Sequence, residues 1–354
     1  MKRMRRDPFR FEGLRLLSEH ALNAKLAIRD PATIESVIEA LRASMAESTK
    51  SDTLVHGLRA EAMFEVVVAS LGDVIVLKHE DGGEFYSSGD EELRVPDFRV
   101  VLADKTQRLI EVKNFYQESA SDAHRHRHEY LASLLEYANL MGCELLIATY
   151  WVKPNLWTLV PASEFERRDE ECVLPLTRAI KANKMSILGD KLIGTRGPIQ
   201  VRTVAEGFAP LATGTEKVTE AFVASAGARV RSVAIYSEDR AIVDPLELRI
   251  VSFLLIHGDW GHQDVGIEVI GDDLGINIRI GPDPEHDTQQ KQGFTAIGFL
   301  SSMISRLYRQ ATTSESGGVS GVRMDFSPGY VGALIPPDYK GQALPIWQMT
   351  ISPP

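Results

Sequence analysis

The sequence predicts an α/β fold in which a β-sheet is flanked by helices, with a helical region before it and an α+β domain after it. Between residues 54 and 160, a helical pattern is followed by three short strand patterns, a second helix and further strands. Residues 11–55 carry helical patterns alone, and strand patterns dominate after a Thr- and Gly-rich segment at 208–216. We therefore predict three regions, at 1–53, 54–207 and 215–354.

The composition limits the class of protein. With 354 residues, of which 44% are hydrophobic and 25% charged, the chain can bury an ample core and is not disordered. No apolar run approaches the ~20 residues of a membrane span, so we expect no membrane association. Cys143 and Cys172 lack metal-binding spacing and fit a reducing compartment, so we expect a cytoplasmic protein. The net charge of −10 excludes a protein that coats nucleic acid by bulk charge.

The elements of the first two regions follow from hydrophobic period and end signals. A helix begins at Asp30-Pro31 and runs to Ala46, and a second covers His56–Leu71 and ends at Gly72. After it we predict strands at 74–77, 98–102 and 108–112, a helix at 119–142, strands at 144–152 and 155–161, and short strands within 184–207.

The C-terminal region combines strand patterns with one helical pattern. It carries 11 Lys and Arg against 17 Asp and Glu, so it suits self-association or a protein partner better than nucleic acid. Clusters of His, Asp and Glu at 257–264 and 285–287 fit turn chemistry better than a metal site. We predict strands at 230–235, 248–256, 265–270 and 276–280, a helix at 290–310, and a short apolar run at 343–351.

The most informative strand carries Glu111 and Lys113 on one face, because alternate residues of a strand share a face. The strand is otherwise apolar, so both charges are costly to bury unless they are paired or bind a metal. Asp97 stands at the start of the neighbouring strand, and two such carboxylates form a pocket suited to Mg²⁺. The Val112 carbonyl adds a third ligand, and Lys113 can polarise a water or neutralise charge on a phosphate. The structural alternative is a simple Glu–Lys ion pair.

Pro96-Asp97 and Glu111-Val112-Lys113 resemble the two half-motifs of the PD-(D/E)xK nuclease superfamily. The helix opening His56–Glu61 is similar to the archaeal Holliday junction resolvase branch, as are the helix and strand downstream. The resemblance covers about residues 54–160. It implies a restriction-endonuclease-like mixed sheet and a Mg²⁺-dependent DNA endonuclease of defence, restriction or DNA repair, with Mn²⁺ able to substitute.

The resemblance also implies roles for single residues. Asp97, Glu111 and the Val112 carbonyl are expected to hold the metal, and Lys113 to assist the reaction. Glu61 is expected to support the site in preference to Glu65, which lies four residues further along the same helical face. The structural alternative is that both glutamates are solvated.

Two other functions remain open from the sequence. One is an RNA-cleaving member of the same superfamily, and the other is a non-catalytic nucleic-acid-binding or assembly module. A homodimer or larger assembly is expected, because double-strand cleavage by single metal centres requires two copies.

A basic run, His124–His128, is predicted to open the helix at 119–142. We expect Arg125, Arg127 and His128 to contact the phosphate backbone of DNA. The alternatives are a solvated helix start and a zinc site, for which only His124 and His128 would share a helical face.

The hairpin between the two half-motifs is constrained by parity. Asp97 shares a face with Glu111 only if the connecting loop has an odd number of residues or a bulge shifts the register. With a three-residue loop at 104–106, Asp97 would face Lys113 and Arg99 would face Glu111. We expect the Asp97 and Glu111 carboxylates within about 5 Å of each other.

Overall fold

The computed structural model describes residues 8–80, 85–89, 92–119, 121–206, 229–270, 273–281 and 293–353. The helices are α1 (Pro8–Ala24), α2 (Pro31–Ser48), α3 (Asp52–Leu71), α4 (His128–Leu140), α5 (Leu176–Lys181), α6 (Pro245–His257), α7 (Leu300–Thr312) and α8 (Tyr330–Leu334). The first strands are β1 (Val76–His79), β2 (Phe98–Val101), β3 (Gln107–Phe115), β4 (Ala123–Arg127), β5 (Glu144–Trp151), β6 (Leu156–Pro161), β7 (Glu166–Arg168) and β8 (Glu171–Pro175). The later strands are β9 (Leu192–Thr195), β10 (Ile199–Glu206), β11 (Arg229–Ser237), β12 (Arg240–Ala241), β13 (His262–Ile270), β14 (Asp273–Gly281), β15 (Thr295–Phe299) and β16 (Ile346–Met349).

The first helices begin and end where their capping residues stand. The Asp30 carboxylate accepts a hydrogen bond from the Ala32 amide (3.0 Å) at the start of α2, which confirms the predicted start of this helix. Helix α3 starts earlier than predicted, because the Ser51 hydroxyl accepts from the Leu54 amide. It ends at Gly72, whose φ of 85° is left-handed.

The central sheet has the strand order β1-β2-β3-β5-β6. Strands β3 and β5 are parallel, while the other neighbouring pairs are antiparallel. Buried residues of α3 pack on the face that carries Ile110 and Val112. Buried residues of α4 pack on the opposite face, with Leu109 and Ile147. The predicted mixed sheet flanked by helices is therefore confirmed.

The hairpin of β2 and β3 has an odd loop, as parity requires. Val101 pairs with Gln107, and the Leu102 amide donates to the Thr106 carbonyl (2.9 Å), which leaves the three residues 103–105 as the loop. The predicted register was wrong, because Arg99 pairs with Leu109 and not with Glu111. The third loop residue is left-handed, and Lys105 (φ 68°) fills this position where the predicted loop would have placed a β-branched threonine.

The predicted helix at 119–142 was wrong in its first part, which forms strand β4 before α4 begins at His128. Strand β4 pairs with β8, which pairs with β7. His124 is buried and Arg125 and Arg127 are exposed, so the basic run has the two-residue period of a half-buried strand. The alternation was missed in the sequence because His124 and His126 were counted as polar residues, although they occupy the inward positions of the strand.

Two predictions in the C-terminal region were also wrong. The predicted strand at 248–256 is helix α6, whose start is fixed by Asp244, a side chain that accepts from the amides of Leu246 (2.9 Å) and Glu247 (3.0 Å). A continuous apolar run does not distinguish a buried strand from a buried helix. In the segment 290–310, predicted to be one helix, residues 295–299 form strand β15 and the helix begins at Leu300. Residues 290–292 lie outside the described residues.

The strands after residue 190 form two further sheets, in the orders β12-β11-β10-β14-β13 and β15-β9-β16. Strands β9 and β10, which the sequence assigned to the region 54–207, therefore pair with strands of the region 215–354. One hydrophobic core extends from Ala60 to Leu344, and α3 packs against α7. The predicted boundary at 208–216 lies outside the described residues.

Polar contacts add to this packing. The Trp157 indole donates to the Ser305 hydroxyl of α7 (2.9 Å), and the Asn155 amide group donates to the Ser302 carbonyl (3.0 Å). Within the described residues, no helix is long and apolar enough to cross a membrane.

We predict that Asp190→Ala lowers the free energy of unfolding by about 2–4 kcal/mol. The buried Asp190 carboxylate accepts from the Ser301 amide (2.9 Å), the Ser301 hydroxyl (2.6 Å) and the Lys191 amide (3.0 Å), so its loss leaves buried donors unpaired at the start of α7. Urea unfolding measures the effect. Glu47→Ala, which truncates a carboxylate with 79% exposure, is the control and should change stability by less than about 0.5 kcal/mol. Equal stability of the two variants would contradict the prediction.

Candidate active site

The site forms where β2 begins beside the middle of β3. Phe98 pairs with Ile110, so the register continues one step further to place Asp97 opposite Glu111. The Val112 amide donates to the Asp97 carboxylate (2.7 Å), which fixes this side chain at the edge of β3. A strand residue directs its amide and its carbonyl to the same edge, so the Val112 carbonyl also lies towards Asp97.

Glu111 is the buried centre of a charged network. Its side chain is 5% exposed, and its Oε1 lies 2.5 Å from the Lys113 ammonium. The Tyr130 hydroxyl, from the first turn of α4, donates to the same oxygen and accepts from Lys113 (2.8 Å). Tyr130 therefore bridges the glutamate and the lysine. Tyr130 could not be assigned to the site from the sequence, because a tyrosine in an apolar helix pattern is more often a packing residue.

The network keeps Lys113 charged. Burial lowers the pKa of the ammonium, but the adjacent Glu111 carboxylate and the Tyr130 hydroxyl outweigh burial and raise the pKa above its ordinary value. Burial, followed by the Glu111 charge, raises the pKa of Tyr130 to about 12. At neutral pH, Lys113 is therefore a positively charged donor and Tyr130 a neutral hydroxyl.

Asp97 is the residue of the site whose ionisation is most unfavourable. Burial, followed by the negative charge of Glu111, raises the pKa of Asp97 from 3.8 to about 8. The hydrogen bond from Val112 opposes this rise, while the Glu61 carboxylate adds to it. Two carboxyl groups thus share a desolvated space with one ammonium, and at neutral pH without a cation Asp97 therefore holds its proton.

The two glutamates of α3 lie in different surroundings. Glu61 acts electrostatically on Asp97, whereas the Glu65 carboxylate lies 3.3 Å from the imidazole of His79 on β1. The structure therefore brings Glu61 near the other predicted site residues and directs Glu65 to the first strand.

The residues predicted to contact DNA lie on β4 and at the start of α4. Arg125 is exposed and forms an ion pair with Glu171 (2.8 Å), Arg127 is exposed and His128 is half-buried. The intervening His126 turns inward and stacks on the Tyr130 ring at a centroid distance of 5.7 Å. Burial, followed by the charge of Lys113, lowers the pKa of His126 to about 4, so His126 is neutral beside the site.

The site opens into a cleft of about 410 Å³. The Arg94 guanidinium lies over one side of the Tyr130 ring, 5.3 Å from its centroid, at the cleft wall. The cleft is lined by Asp97, Glu111, Lys113, Tyr130, Arg94 and Phe85, among others. Charged groups of both signs therefore meet in one space that a ligand can enter.

The donor set fits a hard divalent cation. Asp97 and Glu111 supply two carboxylates and the Val112 carbonyl a third oxygen, and oxygen ligands are those that Mg²⁺ prefers. Such a cation would offset the repulsion that raises the pKa of Asp97. Among the described residues, no group of three His, Cys, Asp or Glu side chains is arranged to hold a metal ion.

The chain is similar in part to solved structures, one of which is an archaeal nuclease. This is a Holliday junction resolvase from the archaeal hyperthermophile Archaeoglobus fulgidus, with 17% sequence identity and a TM-score of 0.29. The similarity covers 38% of this chain and 96% of the resolvase chain. No family model and no curated protein matches the chain.

We predict that Asp97→Asn stabilises the protein in the presence of a chelator, and that its advantage over the wild type grows between about pH 4 and pH 8. The folded protein holds the Asp97 proton more tightly than the unfolded chain, because its pKa is about 8 instead of 3.8. The resulting stabilisation is complete below the unfolded pKa and is lost as the pH rises through the folded pKa. The asparagine does not titrate and keeps an oxygen for the Val112 amide.

Urea unfolding at a series of pH values tests this expectation, with Asp104→Asn as the matched control. Asp104 accepts from the Thr106 amide (2.9 Å) in the exposed hairpin loop. If the stability difference between Asp97→Asn and the wild type stays constant from pH 4 to pH 9, the pKa of Asp97 is not raised and the prediction is wrong.

Proposed function

We propose that the chain is a Mg²⁺-dependent endonuclease that hydrolyses phosphodiester bonds of DNA. The observation that supports it best is the position of Asp97 opposite Glu111, with Lys113 charged beside them in one open cleft. A simple ion pair requires one carboxylate, and the second one raises the cost of burial. Its presence is accounted for if the site holds a cation and an anionic substrate.

Each residue has a defined task in this proposal. Asp97, Glu111 and the Val112 carbonyl would hold the cation, which supplies Lewis-acid polarisation of a phosphoryl oxygen. Lys113 donates to a phosphate oxygen and offsets the negative charge that builds up during displacement. Its raised pKa makes it unsuitable as a general base at neutral pH. Tyr130 holds Lys113 and Glu111 in place by bonding to both.

The choice of DNA over RNA comes from the resemblance of the motifs, and the proposed roles are restriction, defence or DNA repair. A homodimer or larger assembly would bring two centres to the two strands of a duplex. Static light scattering with and without DNA tests the assembly, and a monomer in both states would contradict it.

The substrate class is tested by incubating the protein with plasmid DNA, single-stranded DNA and RNA, in Mg²⁺, in Mn²⁺ and in chelator. We expect cleavage of DNA that requires the divalent ion. Cleavage of RNA alone would identify the RNA-cleaving alternative, and binding without cleavage would identify a non-catalytic module.

We predict that Glu111→Ala and Lys113→Ala each slow Mg²⁺-dependent DNA cleavage by a factor of ~100–1,000. Glu111→Ala removes a cation ligand, and Lys113→Ala removes the charge that faces the phosphate. Initial rates on plasmid DNA measure the loss, and thermal unfolding checks that each variant is folded. Lys184→Ala is the matched control, because Lys184 forms an ion pair with Glu144 (3.0 Å) at the opposite end of β5. Unchanged rates in folded Glu111→Ala would end the assignment.

We also predict that Glu61→Gln slows cleavage about 10–100-fold, the range typical of residues that orient metal ligands without binding the metal themselves. Glu65→Gln should cleave at the wild-type rate, because Glu65 contacts His79 and Glu61 acts on Asp97. The two variants change the same residue type four positions apart on one helix. The opposite ranking of their rates would assign the supporting role to the other turn of α3.

A further inference from the structure

Three arginines converge at the junction of α3 and α7, on the opposite face of the sheet from Glu111. We call Arg59 of α3 and Arg306 and Arg309 of α7 the arginine cluster. Tyr150 of β5 lies within electrostatic reach of all three: burial raises the pKa of its hydroxyl, and the charges of Arg309, Arg306 and Arg59 each oppose that rise.

Most of the positive charge in this cluster is uncompensated. Arg306 has one carboxylate neighbour, Asp259 at 3.4 Å. For Arg59 and Arg309, the described part of the chain places no carboxylate within ion-pair distance. Arg59 donates to the hydroxyls of Thr312 (3.0 Å) and Thr313 (2.8 Å), which are neutral acceptors.

The two guanidiniums also keep unused donors. The Nε atoms of Arg59 and Arg309 are buried and have no hydrogen-bond partner among the residues that the structure describes. In the described part of the chain, Arg309 donates one long hydrogen bond, from Nη2 to the Asn155 side-chain oxygen (3.3 Å), although a guanidinium carries five donors. Both side chains are half-buried, and charge in such surroundings is costly without an anionic partner, so the Nη donors of these arginines point to an anion that binds here.

The position of the cluster relates it to the cleft. Tyr150 pairs with Asn114, the residue after Lys113, across the parallel strands β3 and β5. Neighbouring strands lie about 4.8 Å apart. The cluster and Lys113 therefore lie near the same carboxyl ends of two adjacent parallel strands, the place where open α/β sheets bind their ligands.

We propose that the arginine cluster binds the phosphate backbone of nucleic acid that extends from the cleft across the ends of β3 and β5. The C-terminal region then contributes two of the three arginines to substrate binding, despite its net negative charge. Guanidinium groups suit this ligand because their fixed fork of donors matches the oxygens of a phosphodiester. The inference rests on the proposed function for the identity of the ligand.

The test is the affinity of the full chain for a fluorescently labelled DNA duplex, measured in chelator by anisotropy over a range of salt concentrations. Arg59→Gln and Arg309→Gln should each weaken binding about tenfold and lower the slope of log K against log salt by about 1. Arg178→Gln is the matched control, because Arg178 is paired with Glu164 (3.0 Å) and Glu166. Its affinity should stay within about twofold of the wild type.

A second variant separates binding from packing. Thr313→Ala removes a neutral partner of Arg59 and keeps the charge, so DNA affinity should stay within about twofold of the wild type. Loss of affinity in Thr313→Ala equal to that in Arg59→Gln would show that Arg59 only holds α7, and would overturn the proposal. If Arg59→Gln does not fold, the DNA affinity of Arg309→Gln tests the proposal. This variant is expected to fold, because it loses only one long hydrogen bond of the described residues.

Two further results would overturn the inference. One is wild-type affinity in folded Arg309→Gln, and the other is a wild-type protein that does not bind the duplex. Binding of inorganic pyrophosphate that is lost in Arg309→Gln while DNA affinity is unchanged would assign the cluster to a free phosphate compound instead. Mg²⁺-dependent cleavage by the wild type is measured separately. If the arginine variants bind DNA like the wild type, the proposed nuclease activity is unaffected. If the wild type does not cleave DNA, the binding measurements still test the cluster.

Discussion

The burial of Glu111 on a central strand is the constraint on which the rest of the site depends. A carboxylate with 5% exposure needs partners, and it has two in Lys113 and Tyr130. Lys113 lies on the same strand, and Tyr130 lies in the first turn of α4. The crossover from β3 through α4 to β5 therefore supplies one of the two groups that stabilise the buried Glu111 carboxylate. Asp97 acts against this balance, because it brings a second carboxylate to a place already neutralised by one ammonium. A fold selected for stability alone would gain by losing Asp97, and this is the cost that the proposed cation would offset.

The C-terminal region is joined to this sheet through its core. Helix α7 packs on α3, which itself covers one face of the sheet, and Trp157 and Asn155 at the sheet bond directly to α7. The position of α3, and with it that of Glu61 near Asp97, therefore depends on residues some 250 positions later in the sequence, as the Arg59 bonds to Thr312 and Thr313 also show.

Much of the sheet and the location of the candidate site could be predicted from the sequence, because they depend on local patterns. Alternation placed Glu111 and Lys113 on one face, and parity required the odd loop that Ala103, Asp104 and Lys105 form. The exact register was not predictable from parity, because it depends on which residue accepts the left-handed conformation. Tyr130 was missed because its role arises only when α4 docks on β3. Helix α6 was mistaken for a strand because apolar residues continue onto its exposed face at Ile256, which weakens the periodicity that distinguishes the two.

The net charge of the C-terminal region does not determine the local charge at the arginine cluster. The count of −6 over residues 215–354 averages over surface carboxylates that are screened by water and contribute little at a distance. Charge at a binding site is set by the few groups that share a desolvated space. Arg309 and Arg59 are half-buried with neutral hydroxyls and an amide as partners, whereas Arg178 is compensated by two glutamates. An acidic protein can therefore present a local positive site, provided that its carboxylates are placed elsewhere, and within the described residues the surroundings of Arg59 and Arg309 meet that condition.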